Sequence, residues 1–387
     1  MSGSTEIAPA TEMTDERRDF VDAIRDFAAR ECGTREQRDA LTGGRSMHSD
    51  AAYAKLAELG WLGVAIPEEY GGAGGGMYDA CLLLEELGRG QIPVYGYTTT
   101  LIVAKAYEKF GTEEQKQSML GGIAAGNVEA IAMSEPGAGS DVGALSCRAR
   151  RENGSYVIDG QKTWISSAHH AEHILLVCRT STDGSKHEGM TMLEVPVSTA
   201  GVEIKPIETM GGEEVNDVWF TEAVVDAGNL VGHEGQGWTQ LMAGLNVERL
   251  IIAALQLGTA ERAFADVLAY IKEREQFGRP IGSFQALKHR IADLATEIEV
   301  ARLLCFDVAA KVDADPDRML PREASMVKLK CTEVAKQVAL EGMQMMGGYG
   351  YASEYDMEGY VRQALVGTIY GGTSEIQREI IAKTYGL

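Results

Sequence analysis

The sequence predicts a multidomain α+β protein that is mainly α, with a helical domain at each end and a β domain between them. Three observations indicate this class. The length of 387 residues corresponds to two or three domains at about 150 residues each. Hydrophobic residues make up 45% and charged residues 24%, so the chain can bury a sizeable core. The spacing of apolar residues changes from helical to alternating, and then back to helical.

The first domain is predicted over residues 1–126. Apolar residues recur there at helical spacing, as at Phe20, Ile24 and Phe27. Glycines interrupt the pattern in the tract 71–76. This tract is predicted to be a flexible loop, because no Gly-x-Gly-x-x-Gly follows a strand and no Gly-Lys-Ser/Thr closes a P-loop. A Rossmann or nucleotide-hydrolase site is therefore disfavoured.

The second and third domains are predicted over residues 127–235 and 236–387. In the second, the apolar period drops to two and turn residues are frequent. Short strands are predicted at residues 156–158, 173–178, 190–195 and 217–220. In the third, the helical period returns and no repeat of solenoid length is present. Long helices are predicted at residues 241–274, 284–312 and 322–346, with a last helix after Gly371-Gly372.

Charge and cysteine content exclude several classes of partner and site. A net charge of -21 leaves no general field for a nucleic acid or an anionic lipid surface. The six cysteines form no Cys-x-x-Cys pair, so we expect neither a disulfide framework nor a thiolate zinc site. Residues 1–17 do not resemble a secretory signal, and we expect no membrane span and a cytoplasmic protein.

Three histidines lie close together in the sequence, at His169, His170 and His173. Their spacing could hold a divalent metal, but no carboxylate pair or thiolate lies nearby in the sequence. We therefore expect an exposed turn beside a strand, and no metal site.

Two segments carry chemistry of another kind. Residues 134–141 (SEPGAGSD) combine small residues, main-chain N–H groups and two hydroxyls, which suits an anion or a polar ring edge, although a plain turn is an equal alternative. Trp164 and Ser166 lie two positions apart near the end of a strand, so an aromatic plane and a hydroxyl share one face. A tryptophan packed in the core is the alternative.

Four further segments are distinctive. They are LGWLGV and PEEYGG between residues 59 and 72, REQFGRPI from residue 274, QMMGGYG from residue 344, and YGGTSEIQ from residue 370. Together with the two segments above, and in the same order over nearly the whole chain, they resemble the acyl-CoA dehydrogenase family of flavoenzymes. The resemblance implies an N-terminal helical domain, a middle β domain (a barrel or sandwich) and a C-terminal four-helix bundle. It also implies FAD as cofactor.

The resemblance places the flavin contacts by position. Met133 and Ser134 would lie against the flavin ring, with Trp164 flanking it and Ser166 offering its hydroxyl to N5. The pyrophosphate would meet Gly139 and Ser140, and Thr373 and Glu375 would return to the flavin of their own chain. The adenine half would reach a neighbouring subunit of a homotetramer, a dimer of dimers, at Arg274, Phe277, Gln285, Gln344, Gly347 and Gly348.

The catalytic base is predicted to be Glu248. Many relatives carry the carboxylate directly after the residue matching Tyr370, where this chain has Gly371. A subset similar to isovaleryl-CoA and long-chain acyl-CoA dehydrogenases places it before an arginine, as in Asn246-Val247-Glu248-Arg249. Independently, Glu248 lies on an apolar helical stripe, where desolvation should raise its pKa toward working pH.

The resemblance implies α,β-dehydrogenation of an acyl-CoA thioester to the trans-2-enoyl-CoA, with electrons passed to an electron-transfer flavoprotein. The main-chain N–H of Gly371 would stabilise the enolate-like oxygen, and Ser140, Asn246, Arg249 and Tyr370 would contact the substrate. Two alternatives stay open: an oxygen-using oxidase or monooxygenase of the same fold, and a non-catalytic subunit of a hetero-oligomer. The sequence leaves the acyl group undefined.

Overall fold

The computed structural model describes residues 13–44 and 46–387, without the side chains of residues 245 and 246. The described chain divides into two compact units. The first is built from residues 13–40, 76–92 and 248–387, and the second from residues 41–75 and 93–247. Each unit thus combines segments that are distant in sequence. The predicted boundaries after residues 126 and 235 stay a prediction.

Eleven α-helices lie within the described residues. They are α1 (Asp15–Glu31), α2 (Arg35–Thr42), α3 (Asp50–Glu58), α4 (Met77–Arg89), α5 (Gly96–Phe110), α6 (Glu113–Ala125), α7 (Gly237–Glu273), α8 (Gln285–Ala314), α9 (Pro321–Met346), α10 (Met357–Gly367) and α11 (Ser374–Lys383). Local chemistry fixes several of their ends. The side chain of Thr112 accepts a hydrogen bond from the N–H of Gln115 and caps α6, and Pro321 occupies the first turn of α9.

Ten β-strands are described. They are β1 (Glu129–Ala132), β2 (Arg148–Glu152), β3 (Ser155–Ser166), β4 (His173–Arg179), β5 (Met190–Pro196), β6 (Val202–Thr209), β7 (Gly212–Asp226), β8 (Leu230–Val231), β9 (Glu275–Gln276) and β10 (Arg279–Pro280). Seven of them form one sheet in the order β6-β7-β3-β2-β4-β5-β8, and β1 pairs in parallel with β4. This eight-stranded sheet belongs to the second unit, and its core includes Tyr156, Ile158 and Phe220.

In the first unit the long helix α8 and the short helices α10 and α11 pack against α9. A buried ion pair joins α4 to α8, with Arg302 Nε 2.8 Å from Glu85 Oε1. Burial raises the pKa of Glu85 to about 8, and the nearby Arg302 acts against that shift. Such a pair is costly to break, because removing one partner leaves an uncompensated buried charge.

Helix α7 is the one described helix that could cross a membrane by length and composition, a feature that the sequence analysis did not anticipate. Within its most apolar 18-residue window, 69% is buried inside the protein. Core helices of bundles commonly meet the same criterion. The helix is therefore weak evidence for a membrane span.

Candidate active site

Trp164 lies at an irregularity in strand β3. The register between β3 and β7 shifts between Lys162 and Ile165, and Trp164 adopts a φ of 62°. A left-handed backbone at a bulky residue costs about 1–3 kcal/mol and persists only where the surroundings enforce it. The Trp164 side chain is 60% exposed, so it is not packed in the core. The bulge instead presents an aromatic surface outward.

A buried ion pair fixes the neighbouring main chain. Lys162 Nζ donates to Met133 O at 2.9 Å and to Glu135 Oε1 at 2.8 Å, and the N–H of Thr163 donates to Ser134 O at 3.0 Å. These contacts bring Met133 and Ser134 beside the bulge. The sequence analysis singled out neither Lys162 nor Glu135 as functional, although Glu135 lies within the SEPGAGSD segment.

The Glu135 carboxylate of this pair is buried, and several hydrogen-bond donors surround it. Glu135 also accepts hydrogen bonds from the N–H groups of Ser146 and Cys147, at 2.7 and 2.8 Å. Burial acts to raise the pKa of Glu135, but the Lys162 ammonium and these N–H groups together lower it below its usual value. The carboxylate is therefore held as an anion that orients the segment around residue 133.

The rest of the SEPGAGSD segment forms a turn that opens to solvent. Glu135 and Ala138 exchange two main-chain hydrogen bonds of 3.0 Å. A Cβ built on Gly139 would meet no atom within 4 Å, and Ser140 is exposed. Ser166 is half-buried and lies beside Tyr95. The segment thus has the turn geometry that the sequence allowed, together with open space beside its glycines.

Glu248 lies on the buried face of α7, in the first unit. Glu248 is 8% exposed, and Ile251 and Ile252 on the same stripe are 0% and 3% exposed. Desolvation by burial raises the pKa of Glu248, while Arg249 and Lys328 act in the opposite direction. The apolar environment predicted from the sequence is present, except that Leu255 is only half-buried.

The structure brings Glu248 and Gly371 together. A Cβ built on Gly371 would lie 3.5 Å from Glu248 Oε1, and 2.2 Å from the Cδ1 atom of Ile252. Gly371 has a φ of 61°, which disfavours any other residue. The carboxylate of Glu248 therefore reaches the space from which a side chain at position 371 would start. This proximity agrees with the inference that the base has moved from one position to the other.

Two fully buried side chains hold the turn that carries Gly371. Lys328 Nζ donates to Gly372 O at 2.8 Å. The Nε2 atom of Gln377 donates to the carbonyls of Gly371 and Gly372, at 3.0 and 2.9 Å. Burial lowers the pKa of Lys328 to about 8, and the negative charge of Glu248 opposes that shift. Sequence analysis assigned a role to neither side chain, although Gln377 ends the YGGTSEIQ segment. The available signal for Lys328 was its place among apolar residues of α9.

The remaining residues of this group are placed around the same turn. Arg249 is 7% exposed, and Tyr370 Oη accepts a hydrogen bond of 3.4 Å from Gln256 Nε2. Thr373 caps α11 by accepting from the N–H of Ile376. Glu375 is exposed in the first turn of α11. The Asn246 side chain lies outside what the structure describes.

A third group lies on the surface of the first unit. A cavity of about 510 Å³ is lined by Arg274, Gly347, Gly348 and several aromatic side chains, and the Arg274 guanidinium lies 5.2 Å from the ring centre of Tyr349. Phe277 is 93% exposed with a φ of 56°. The two glutamines predicted for this group, Gln285 and Gln344, are also exposed.

Comparison with known proteins agrees with this architecture. Family models for the N-terminal, middle and C-terminal domains of acyl-CoA dehydrogenases match residues 14–127, 130–224 and 235–386. The probable acyl-CoA dehydrogenase YngJ of Bacillus subtilis is 36% identical over 96% of this chain and 98% of its own length. The mitochondrial isovaleryl-CoA dehydrogenase of Solanum tuberosum is 36% identical, over 85% and 80%.

A solved structure shows the same fold. The acyl-CoA dehydrogenase of Geobacillus kaustophilus superposes with a TM-score of 0.90 at 33% identity, over 97% of this chain and 99% of that one. Fold and matches together define a flavoprotein oxidoreductase. Within that class, the chain belongs to the acyl-CoA dehydrogenase family. The predicted fold class, helical then β then helical, is confirmed.

Proposed function

We propose that this protein is an FAD-dependent dehydrogenase that converts an acyl-CoA thioester to the trans-2-enoyl-CoA, with Glu248 as the catalytic base. The observation that carries the proposal is the buried Glu248 carboxylate, 3.5 Å from the Cβ position of Gly371. A buried acidic side chain, next to a residue that leaves space, is suited to remove a proton from carbon.

The residues present fit a bound flavin. Trp164 offers an exposed aromatic plane on a strained bulge, and the turn at Gly139 leaves open space for a phosphate-bearing chain. Met133 and Ser134 would lie against the ring, and Ser166 would direct its hydroxyl to it. The chemistry that bound FAD supplies is acceptance of a hydride from the β-carbon of the substrate.

The chain's own residues supply the proton transfer and the charge stabilisation. Glu248 removes the proton next to the thioester carbonyl, and its raised pKa keeps it basic enough for that task. The N–H of Gly371 donates to the thioester oxygen as negative charge develops there. Lys328 and Gln377 hold the carbonyls of this turn, so the N–H is oriented before the substrate arrives.

We infer that the acyl group is bulky or branched near its thioester. Gly371 has no side chain that could occupy space beside the reacting carbons. The Glu248 carboxylate reaches them from α7 instead. The similarity to an isovaleryl-CoA dehydrogenase supports the same class. We also infer that electrons pass to an electron-transfer flavoprotein, and that the enzyme acts in the cytoplasm.

A homotetramer completes the proposed cofactor site. Phe277 is almost fully exposed in a strained conformation, and the nearby cavity carries the Arg274 guanidinium. An exposed aromatic residue and a cation are suited to the adenine and phosphates of a flavin held mainly by another subunit. Gln285, Gln344, Gly347 and Gly348 would complete this contact.

The experiment that tests the proposal is Glu248→Gln. The variant should keep its flavin but lose bleaching by isovaleryl-CoA, because the amide cannot accept the proton. Glu273→Gln is the matched control, since Glu273 is exposed on the same helix. Full turnover in Glu248→Gln would assign the base elsewhere. If the reduced wild-type protein reoxidises rapidly in air with peroxide formation, it is an oxidase instead.

A further inference from the structure

A cluster of imidazoles and carboxylates lies within the second unit, apart from the residues assigned above. Its buried member is Glu214, on strand β7, which is 3% exposed. One carboxylate oxygen, Oε1, accepts hydrogen bonds from Ser46 Oγ and from the N–H of Met47. The other, Oε2, is buried without a hydrogen-bond partner in the part of the chain that the structure describes. A buried carboxylate oxygen left in this way is costly unless a cation or donor meets it.

The second member of the cluster is His169, whose ring is held by Asn216. The Nδ2 atom of Asn216 donates to Ile165 O at 2.9 Å, so its Oδ1 atom is an acceptor. His169 Nδ1 lies 2.9 Å from that Oδ1 and must therefore carry the proton. The Nε2 atom of neutral His169 is then left as an acceptor. Histidines that bind metals are oriented in this way by an outer acceptor.

His170 supplies the second imidazole. Its ring centre lies 4.1 Å from that of His169, and its Nδ1 lies 3.6 Å from Asp50 Oδ1. His48 also stacks on His170, but its Nδ1 accepts the N–H of Gly96, so the Nε2 of neutral His48 carries the proton. His48 is therefore not available as a ligand through Nε2.

We propose that His169, His170 and Glu214 bind one divalent transition-metal ion of the zinc type. One ligand atom from each of the three lies within 4.8 Å of the other two. Two imidazoles and one carboxylate are an established ligand set for zinc, with a water molecule in the fourth position. His169 is exposed, which gives the ion a path from solvent. The sequence analysis expected no metal because the carboxylate comes from β7, far along the chain.

Zinc uptake by the flavin-loaded enzyme tests the proposal. Protein without an affinity tag is treated with a chelator, dialysed against Zn²⁺ and analysed for metal per chain. Wild type should bind one ion, and both His169→Ala and Glu214→Gln should weaken binding by at least about tenfold. Glutamine keeps a carbonyl oxygen for Ser46 and Met47. In wild type, added Zn²⁺ should also raise the melting temperature.

His173→Ala is the matched control. His173 belongs to the same stretch of sequence but pairs with Glu129, with Nδ1 and Oε1 3.3 Å apart. It should bind zinc as wild type does. The flavin content of each variant reports whether it has folded. His169 is exposed, so His169→Ala should fold and is the decisive variant if Glu214→Gln does not. Equal zinc uptake by wild type and His169→Ala overturns the proposal.

Discussion

Around Glu248, single residues set the chemistry, and after Arg249 the strongest ionic influence on its pKa comes from Lys328. Its ammonium favours the ionised carboxylate, so Lys328→Met should raise the pKa of Glu248 further. A base must be ionised to act, and the acidic limb of the kcat/KM profile should therefore move to higher pH. The measurement is the pH dependence of flavin bleaching in stopped flow.

Gln377→Met separates charge from positioning. Gln377 donates to the Gly372 carbonyl, as Lys328 does, and also to the Gly371 carbonyl, but it carries no charge. Gln377→Met should lower kcat without moving the acidic limb of the kcat/KM profile. Lys328→Arg should keep that limb at its wild-type pH, because arginine retains the positive charge. A limb that stays in place in Lys328→Met would show that the ammonium does not influence the base.

A second residue-scale prediction concerns relocation of the base. Glu248→Gly with Gly371→Glu places the carboxylate where many relatives carry it, but the new Cβ would lie 2.2 Å from Ile252 Cδ1. Ile252→Val removes that atom. We expect the triple variant to recover more activity than the double variant, measured as the rate of flavin bleaching. If the double and triple variants both bind flavin but are equally inactive, a carboxylate at position 371 cannot replace Glu248.

At this scale the sequence was informative where a pattern is local. The apolar stripe around Glu248 is visible in two neighbouring turns of one helix. The roles of Lys328 and Gln377 were not visible, because a lysine is normally exposed and its burial here depends on a carbonyl 44 residues away in the chain. Such a contact exists only after packing.

Strand β3 shows how one element prepares a site. Its bulge exposes Trp164, and the buried pair between Lys162 and Glu135 stabilises the main chain next to it. Lys162→Met should lower the free energy of unfolding by about 3–5 kcal/mol, because the buried Glu135 carboxylate loses its cation and keeps only its hydrogen bonds from residues 146 and 147. Flavin content should fall with it. Urea unfolding and the flavin-to-protein ratio measure both effects.

Lys186→Met provides the control for that variant. Lys186 pairs with Asp141, and both side chains are more than half exposed. Loss of a surface pair should cost at most about 1 kcal/mol. Equal destabilisation by the two substitutions would mean that the buried pair has no special role in holding the bulge.

Long helices were the elements best predicted from the sequence. The stretches expected at residues 284–312 and 322–346 are observed as α8 and α9, which end within two residues of those bounds. Strand β6 was missed, since its residues are mostly exposed and its sequence, VEIKPIET, contains a proline. Its strand character depends on pairing with β7, a partner that a local pattern does not reveal.

At the scale of the whole molecule, the proposed tetramer can be tested through Phe277. Phe277→Ala removes an exposed aromatic ring and should leave the fold of the chain intact. If a second subunit's flavin rests on this residue, the variant should lose flavin more readily on dialysis than wild type does. Size-exclusion chromatography with light scattering gives the mass. Unchanged flavin retention would exclude the proposed contact.

The discontinuous make-up of the first unit has a consequence for synthesis on the ribosome. All segments of the second unit have been translated once residue 247 is added, whereas α4 must wait for α8. The bond between Glu85 and Arg302 spans 217 positions of the polypeptide. Until α8 has been translated, the face of α4 that carries Glu85 and apolar residues has no helix α8 to pack against. We therefore expect nascent chains stalled before α8 to bind chaperones through α4. The chaperones should dissociate when the last third of the protein has emerged from the ribosome.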